Sequence, residues 1–242
     1  MIALFIFRSN VRGMQYGIGT YIRELSEALL IYTDIKIYII TYHNSRVNEF
    51  KFESLSGRYY EINIPPPKLT HLQNYQNETR YAKAVVNLLS ELISKNKLII
   101  FQMNYTYDLA LIKVLKERYI HPVISVVHFF KWEQLLNGNK QKLSSLNIDV
   151  PTNYKELAIF TEKEMYQFSD HVVTINPTMK DFIIEKYGLP PEKISLIRNG
   201  LDYTKFSKIS KNKKINLRQK LGFYSHEKII LFAGRVDPDK GI

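Results

Sequence analysis

Seven short apolar runs of β-type residues alternate with segments whose apolar residues recur every three or four positions. That alternation is the strongest constraint on the fold. The runs are Ile2–Phe7, Ile35–Thr41, Tyr59–Ile64, Leu98–Gln102, Val123–His128, His171–Ile175 and Ile194–Ile197. Several are almost continuously hydrophobic, as strands become when both sheet faces are covered. Between them, Ile18, Ile22, Leu25 and Leu29 share one helical face, as do Tyr81, Val85, Leu88 and Leu92, and Met179, Phe182 and Ile183. The last of these helices carries its own boundaries. Asn176 suits the N-cap, Pro177 the first turn, Gly188 the C-terminal end, and Pro190-Pro191 stops continuation. The pattern predicts an α/β fold with a doubly wound parallel sheet. Right-handed crossovers then place the functional edge at the strands' C-terminal ends. Two stretches are less regular: 42–58 reads as a variable connection, and 129–150 as a long insert with short helices.

The composition agrees with a folded domain. The chain has 242 residues, 45% hydrophobic and 24% charged, enough for a sizeable core. It has no cysteine, which removes disulfides, zinc-thiolate sites and thiol nucleophiles, and fits a cytoplasmic setting. The opening "MIALFIFRSN" offers six apolar residues without a basic flank before them, so it reads as a core strand rather than a leader. No apolar run approaches the roughly 18 residues of a membrane span. The net charge of +11 is concentrated: Lys205–Lys220 holds seven basic residues and no acid, and the remainder holds 27 basic against 23 acidic residues. Such a run is a solvated linker or a contact for an anionic membrane surface. No zinc-finger spacing or aromatic RNP strand points to nucleic acid.

Three places can carry chemistry. "GIGTYIREL" follows the first strand, and Gly17, Gly19 and Thr20 open the first helix. Glycines there either let the backbone approach a phosphate at a helix N-terminus or simply make a tight turn. The full G-x-G-x-x-G is absent, which disfavours a nicotinamide dehydrogenase. "VISVVHFF" sets His128 at the end of an apolar strand, on the expected functional edge, where it contacts a substrate or serves as a structural histidine. Phe129, Phe130 and Trp132 line an acceptor pocket, meet a membrane interface, or pack the insert onto the domain. Finally, Arg235 and Lys240 lie in "AGRVDPDKG", a turn after the apolar run 228–233. A planar guanidinium and a point charge at such a turn can clamp a diphosphate. There is no G-x-S-x-G elbow, GK[ST] phosphate loop or H-E-x-x-H spacing.

In order and context, these motifs resemble the nucleotide-sugar glycosyltransferases of GT-B fold, in particular the large retaining family 4. "YGIGTYIRELSEALL" resembles the family's glycine loop and first helix, and "VISVVHFF" its strand ending in a substrate-contacting histidine. "DHVVTINPTMKDFIIEKYGLPPEKISLIRNGLDYTKF" resembles its passage into the interdomain linker, and "ILFAGRVDPDKGI" the opening of its second domain. The resemblance implies a Rossmann-like acceptor-side domain at 1–200, a basic linker at 201–227, and the first strand and phosphate turn of a donor domain at 228–242. It implies that His128 touches the transferred sugar and that Arg235 and Lys240 hold the diphosphate. Gly17, Gly19, Thr20 and Asn199 would lie near donor phosphates and substrate. The donor would be a nucleotide-diphosphate sugar and the acceptor a glycan or lipid-linked molecule, with no cofactor, metal or nucleic acid and peripheral membrane contact at most. The family's acidic E-x7-E element is not found in the tail, so the chain is expected to be a fragment, a truncated product or half of a split enzyme, inactive alone. The other reading is a non-catalytic module docking on a partner or membrane through its basic segment.

Overall fold

The computed structural model describes residues 1–9, 17–67, 75–104, 108–200, 208–224 and 226–232. They fall into two compact units, Met1–Asn199 and Gly200–Ile242. In chain order, the first unit contains β1 (Ile2–Ser9), α1 (Gly17–Tyr32), β2 (Lys36–Tyr42), β3 (Lys51–Ser56), β4 (Tyr59–Asn63), α2 (Tyr75–Ser94), β5 (Leu98–Met103) and α3 (Leu109–Arg118). It continues with β6 (Val123–Val127), α4 (Lys131–Leu136), α5 (Lys140–Ser144), α6 (Tyr154–Phe168), β7 (His171–Thr174), α7 (Pro177–Tyr187) and β8 (Ile194–Leu196). The strands form one sheet in the order β3-β4-β2-β1-β5-β6-β7-β8, parallel except for the β3–β4 hairpin.

All seven expected strands and the three expected helices are present, and β1 shows why its sequence is so apolar. Its side chains alternate between two cores. Ala3, Phe5 and Phe7 join the larger one, packed by α2, α3 and α7. Leu4 and Ile6 join a smaller one, to which α1 contributes Ile22. Phe5 stacks on Tyr38 with ring centroids 4.5 Å apart and meets Phe101 edge-on at 5.8 Å. With water excluded from both faces, period-two polarity disappears.

β3 was not legible in the sequence. All six of its residues are exposed, so it has neither an apolar run nor an alternation, and its pairing is irregular near Ser54 and Ser56. The following turn supplies Arg58, whose guanidinium donates to the Leu30 carbonyl at 2.8 Å and to that of Thr33, closing the C-terminal end of α1. A cation is favourable at that end of a helix dipole.

The boundaries of α7 are as its sequence specifies. The Asn176 side-chain oxygen accepts from the Met179 amide at 2.9 Å, and Gly188 takes the left-handed conformation, φ 68°, at the C-cap. Asn176→Ala is expected to cost about 1 kcal/mol, read as a lower urea midpoint with an unchanged denaturant slope.

In the second unit, the segment expected as a basic linker contains α8 (Lys211–Lys220), capped by Ser210 and without a buried residue. Residues 201–207 lie outside the described part. Of the expected strand at 228–233, only residues 228–232 are described; they form no ladder, and Ile230 is 98% exposed. A strand needs a partner edge, and the described residues of this unit offer none. No described helix is long and apolar enough to cross a membrane.

Candidate functional site

Parallel strands bring the C-terminal ends of β1, β2, β4, β5, β6 and β7 to one edge of the sheet. On the face covered by α1, this edge turns polar. Arg8 pairs in register with Thr41, and Thr41 with Asn63. The Arg8 Nε donates to Thr41 Oγ1 at 2.7 Å, and a terminal nitrogen of Arg8 lies 3.9 Å from Glu61 Oε1. Burial of a guanidinium requires such partners.

His128 stands one residue beyond β6, and Asn104 one residue beyond β5. The His128 Nε2 is 3.2 Å from Asn104 Oδ1. Asn104, 2% exposed, donates through Nδ2 to the Phe7 carbonyl at 3.1 Å and accepts from Gln102 Nε2 at 3.2 Å. The Tyr21 ring, from α1, meets the imidazole edge-on with centroids 4.8 Å apart. Burial raises the Tyr21 phenol pKa, opposed by a hydrogen bond from Gln102. Burial likewise pushes the His128 pKa down to about 4, so the imidazole is neutral near pH 7. A neutral imidazole both donates and accepts, which suits it to sugar hydroxyls.

The first turn of α1 contains Gly17, Gly19 and Thr20, immediately before Tyr21. Of this helix, Tyr21 is the residue shown against the histidine; Gly17 and Thr20 are exposed and Gly19 is buried. Neither glycine has positive φ, so a left-handed turn does not account for them. Asn199 lies exposed beyond β8, and β8 is two strands from β6, about 10 Å by strand spacing. Arg235 and Lys240 lie outside the described residues. Tyr21, Gln102 and Asn104 were not identified from sequence. The signal was present in "FQMN", where polar residues end an apolar strand as His128 ends "VISVVH".

Phe130 and Trp132 do not line an open pocket or a membrane-facing patch, whereas Phe129 is half-buried. Phe130 and Trp132 are 2% and 3% exposed. They pack on Phe182, with centroids 4.5 and 5.3 Å away, and fix the insert to the domain. Beneath them Glu162, fully buried, binds three elements together. It accepts from the Lys131 amide at the start of α4 (2.9 Å), from Tyr187 Oη on α7 (2.6 Å) and from Tyr166 Oη on α6 (3.3 Å). Burial raises its carboxyl pKa to about 7 against these bonds. Among the described residues no group of three or more histidines or carboxylates could hold a metal ion.

Residues 16–205 match the sequence profile of Glycosyltransferase Family 4. The chain belongs to Glycosyltransferase Family 4. Relatives agree with that membership. Mannosylfructose-phosphate synthase of Agrobacterium fabrum is 30% identical over 112 residues, 46% of this chain and 24% of that protein. Sucrose-phosphate synthase of Thermosynechococcus elongatus superposes with a TM-score of 0.70 at 16% identity, over 98% of this chain and 57% of that one. The catalytic domain of starch synthase IV from Arabidopsis thaliana, bound to ADP and acarbose, gives a TM-score of 0.56 at 14% identity, over 94% and 60%. The structural likenesses establish the fold, a Rossmann-like domain of GT-B type. The family chain described here thus spans only part of the length of the proteins it matches.

Proposed function

We propose that the protein moves a glycosyl group from a nucleotide-diphosphate sugar to a glycan or lipid-linked acceptor, with retention of anomeric configuration. The observation that carries this reading is the neutral His128 against Tyr21 of α1, at the C-terminal edge of a Family 4 sheet. A relative in fold with bound ADP supports a nucleoside-diphosphate ligand.

In this reading the backbone at Gly17, Gly19 and Thr20 lies against donor phosphates and acceptor, with Asn199 at the margin. His128 contacts a hydroxyl of the transferred sugar. Arg235 and Lys240 grip the diphosphate. The anomeric C–O bond breaks toward the diphosphate while the acceptor oxygen approaches the same face. The acceptor's proton passes to the departing phosphate oxygen. Negative charge grows on that oxygen, and preorganised cations lower the barrier most where charge develops. The exposed cations of α8 would favour an acceptor held on an anionic surface.

The test uses the full-length protein with a panel of UDP-, GDP- and ADP-sugars. Nucleoside diphosphate release should depend on acceptor, and NMR of the product should show the donor's anomeric configuration. An inverted product would overturn the retaining assignment. His128→Ala should lower kcat/KM about tenfold to a hundredfold, the worth of one or two lost polar contacts in the transition state.

A further inference from the structure

We infer that Asn104 is a positioning residue: it fixes His128 in the Nε2–H tautomer, leaving Nδ1 to accept a hydrogen bond from a hydroxyl of the bound sugar. The inference rests on the reading that His128 meets the transferred sugar.

The Phe7 carbonyl can only accept. Asn104 must therefore turn its amide nitrogen toward Phe7, at 3.1 Å, and its oxygen the other way. That oxygen also receives the Gln102 amide at 3.2 Å. The amide orientation of Asn104 is thus set by two partners independent of the histidine. What faces His128 Nε2, at 3.2 Å, is an oxygen. An oxygen there requires Nε2 to carry the proton.

Among the described residues, Asn104 and, from α1, the Tyr21 ring, which is hydrogen-bonded to Gln102, lie against the imidazole. Burial alone disfavours the doubly protonated ring, with no contribution from a neighbouring charge. A neutral ring with its proton on Nε2 has a bare lone pair on Nδ1. Nδ1 has no hydrogen-bond partner among the described residues. A ligand group placed there must donate. A sugar hydroxyl can; a uronate carboxylate must first draw a second proton onto a ring whose burial opposes it. The site therefore selects donors carrying a hydroxyl at the position facing His128 and rejects hexuronic acids oxidised at that position.

The chain can be tested without a substrate. In long-range 1H–15N spectra of the uniformly labelled protein, with His128 assigned by loss of its signals in His128→Gln, a protonated Nε2 and a bare Nδ1 are expected, unchanged from pH 8 to pH 5.5. A proton on Nδ1, or an equal mixture, overturns the proposal. Asn104→Asp puts a carboxylate beside Nε2 and should raise the ring's titration clearly above that of the parent chain. A titration as low as in the parent chain would show that position 104 does not control the ring.

The second arm uses the full-length enzyme and monofluoro analogues of whichever donor it turns over. One analogue should lose at least about tenfold in kcat/KM, and that loss should shrink in His128→Ala. Spectra as expected but no analogue coupled to His128 would overturn the contact between His128 and sugar, and the hydroxyl requirement with it. The two failures are thus distinguishable.

Discussion

Glu162→Ala is expected to remove about 4 kcal/mol of folding stability at pH 5. The variant leaves the Lys131 amide and the Tyr187 and Tyr166 hydroxyls facing a cavity. Each buried donor left unpaired costs about 1–3 kcal/mol, and the lost packing adds to this. Urea unfolding followed by Trp132 fluorescence measures it. Glu162→Gln separates hydrogen bonding from charge. Its oxygen still accepts from Lys131, and its amide can donate to a tyrosine oxygen. The folded carboxyl titrates at about 7 against an ordinary value of 4.5, so folding favours the protonated form. Its stabilising share is therefore complete below about pH 4.5 and is lost as pH rises through 7. Ionisation costs the native state about 3 kcal/mol by pH 8. The parent chain should thus lose stability between pH 5 and pH 8, and Glu162→Gln should flatten that slope. A parent chain equally stable at both ends, or a slope surviving in Glu162→Gln, would assign the buried acid a different protonation state.

Arg235→Ala in the full-length enzyme should lower kcat about a hundredfold to a thousandfold, the range seen when a donor that stabilises developing charge is removed. It should also weaken nucleoside-diphosphate binding in calorimetry. Arg235→Lys should recover only part of the loss, because a point charge cannot reproduce a bidentate fork. Full turnover by Arg235→Ala would refute the role of this cation. Fold damage is excluded by an unchanged melting temperature.

The sheet was legible because burial on both faces writes itself into composition. "ALFIF" and "VISVV" can hardly be anything but central strands. α7 was legible because Asn176, Pro177 and Gly188 each have a local conformational reason to stand where they do. β3 was hidden because an exposed edge strand imposes no apolar period, and only its hairpin partner reveals it. The site was half legible. His128 stood out as a titratable group at the end of a hydrophobic run. Asn104 and Tyr21 did not, since their significance lies in contacts with His128 across 24 residues of sequence and across a helix–strand packing. Phe130 and Trp132 stayed open between a pocket, a membrane interface and packing of the insert, because composition alone does not show which face an insert presents. Their burial depends on Phe182 and Glu162, both remote in sequence.

The guanidinium of Arg58 has a mechanical corollary. α1 has 16 residues, about 24 Å of nearly rigid rod. One tip is tethered by Arg58 from the edge hairpin, and about one turn in from the other end Tyr21 meets the imidazole. A rod moored at its far tip acts as a lever. A tilt of a few degrees at the mooring becomes an ångström-scale shift beside His128, so the outermost, solvent-washed hairpin helps set the aim of a ring four strands away.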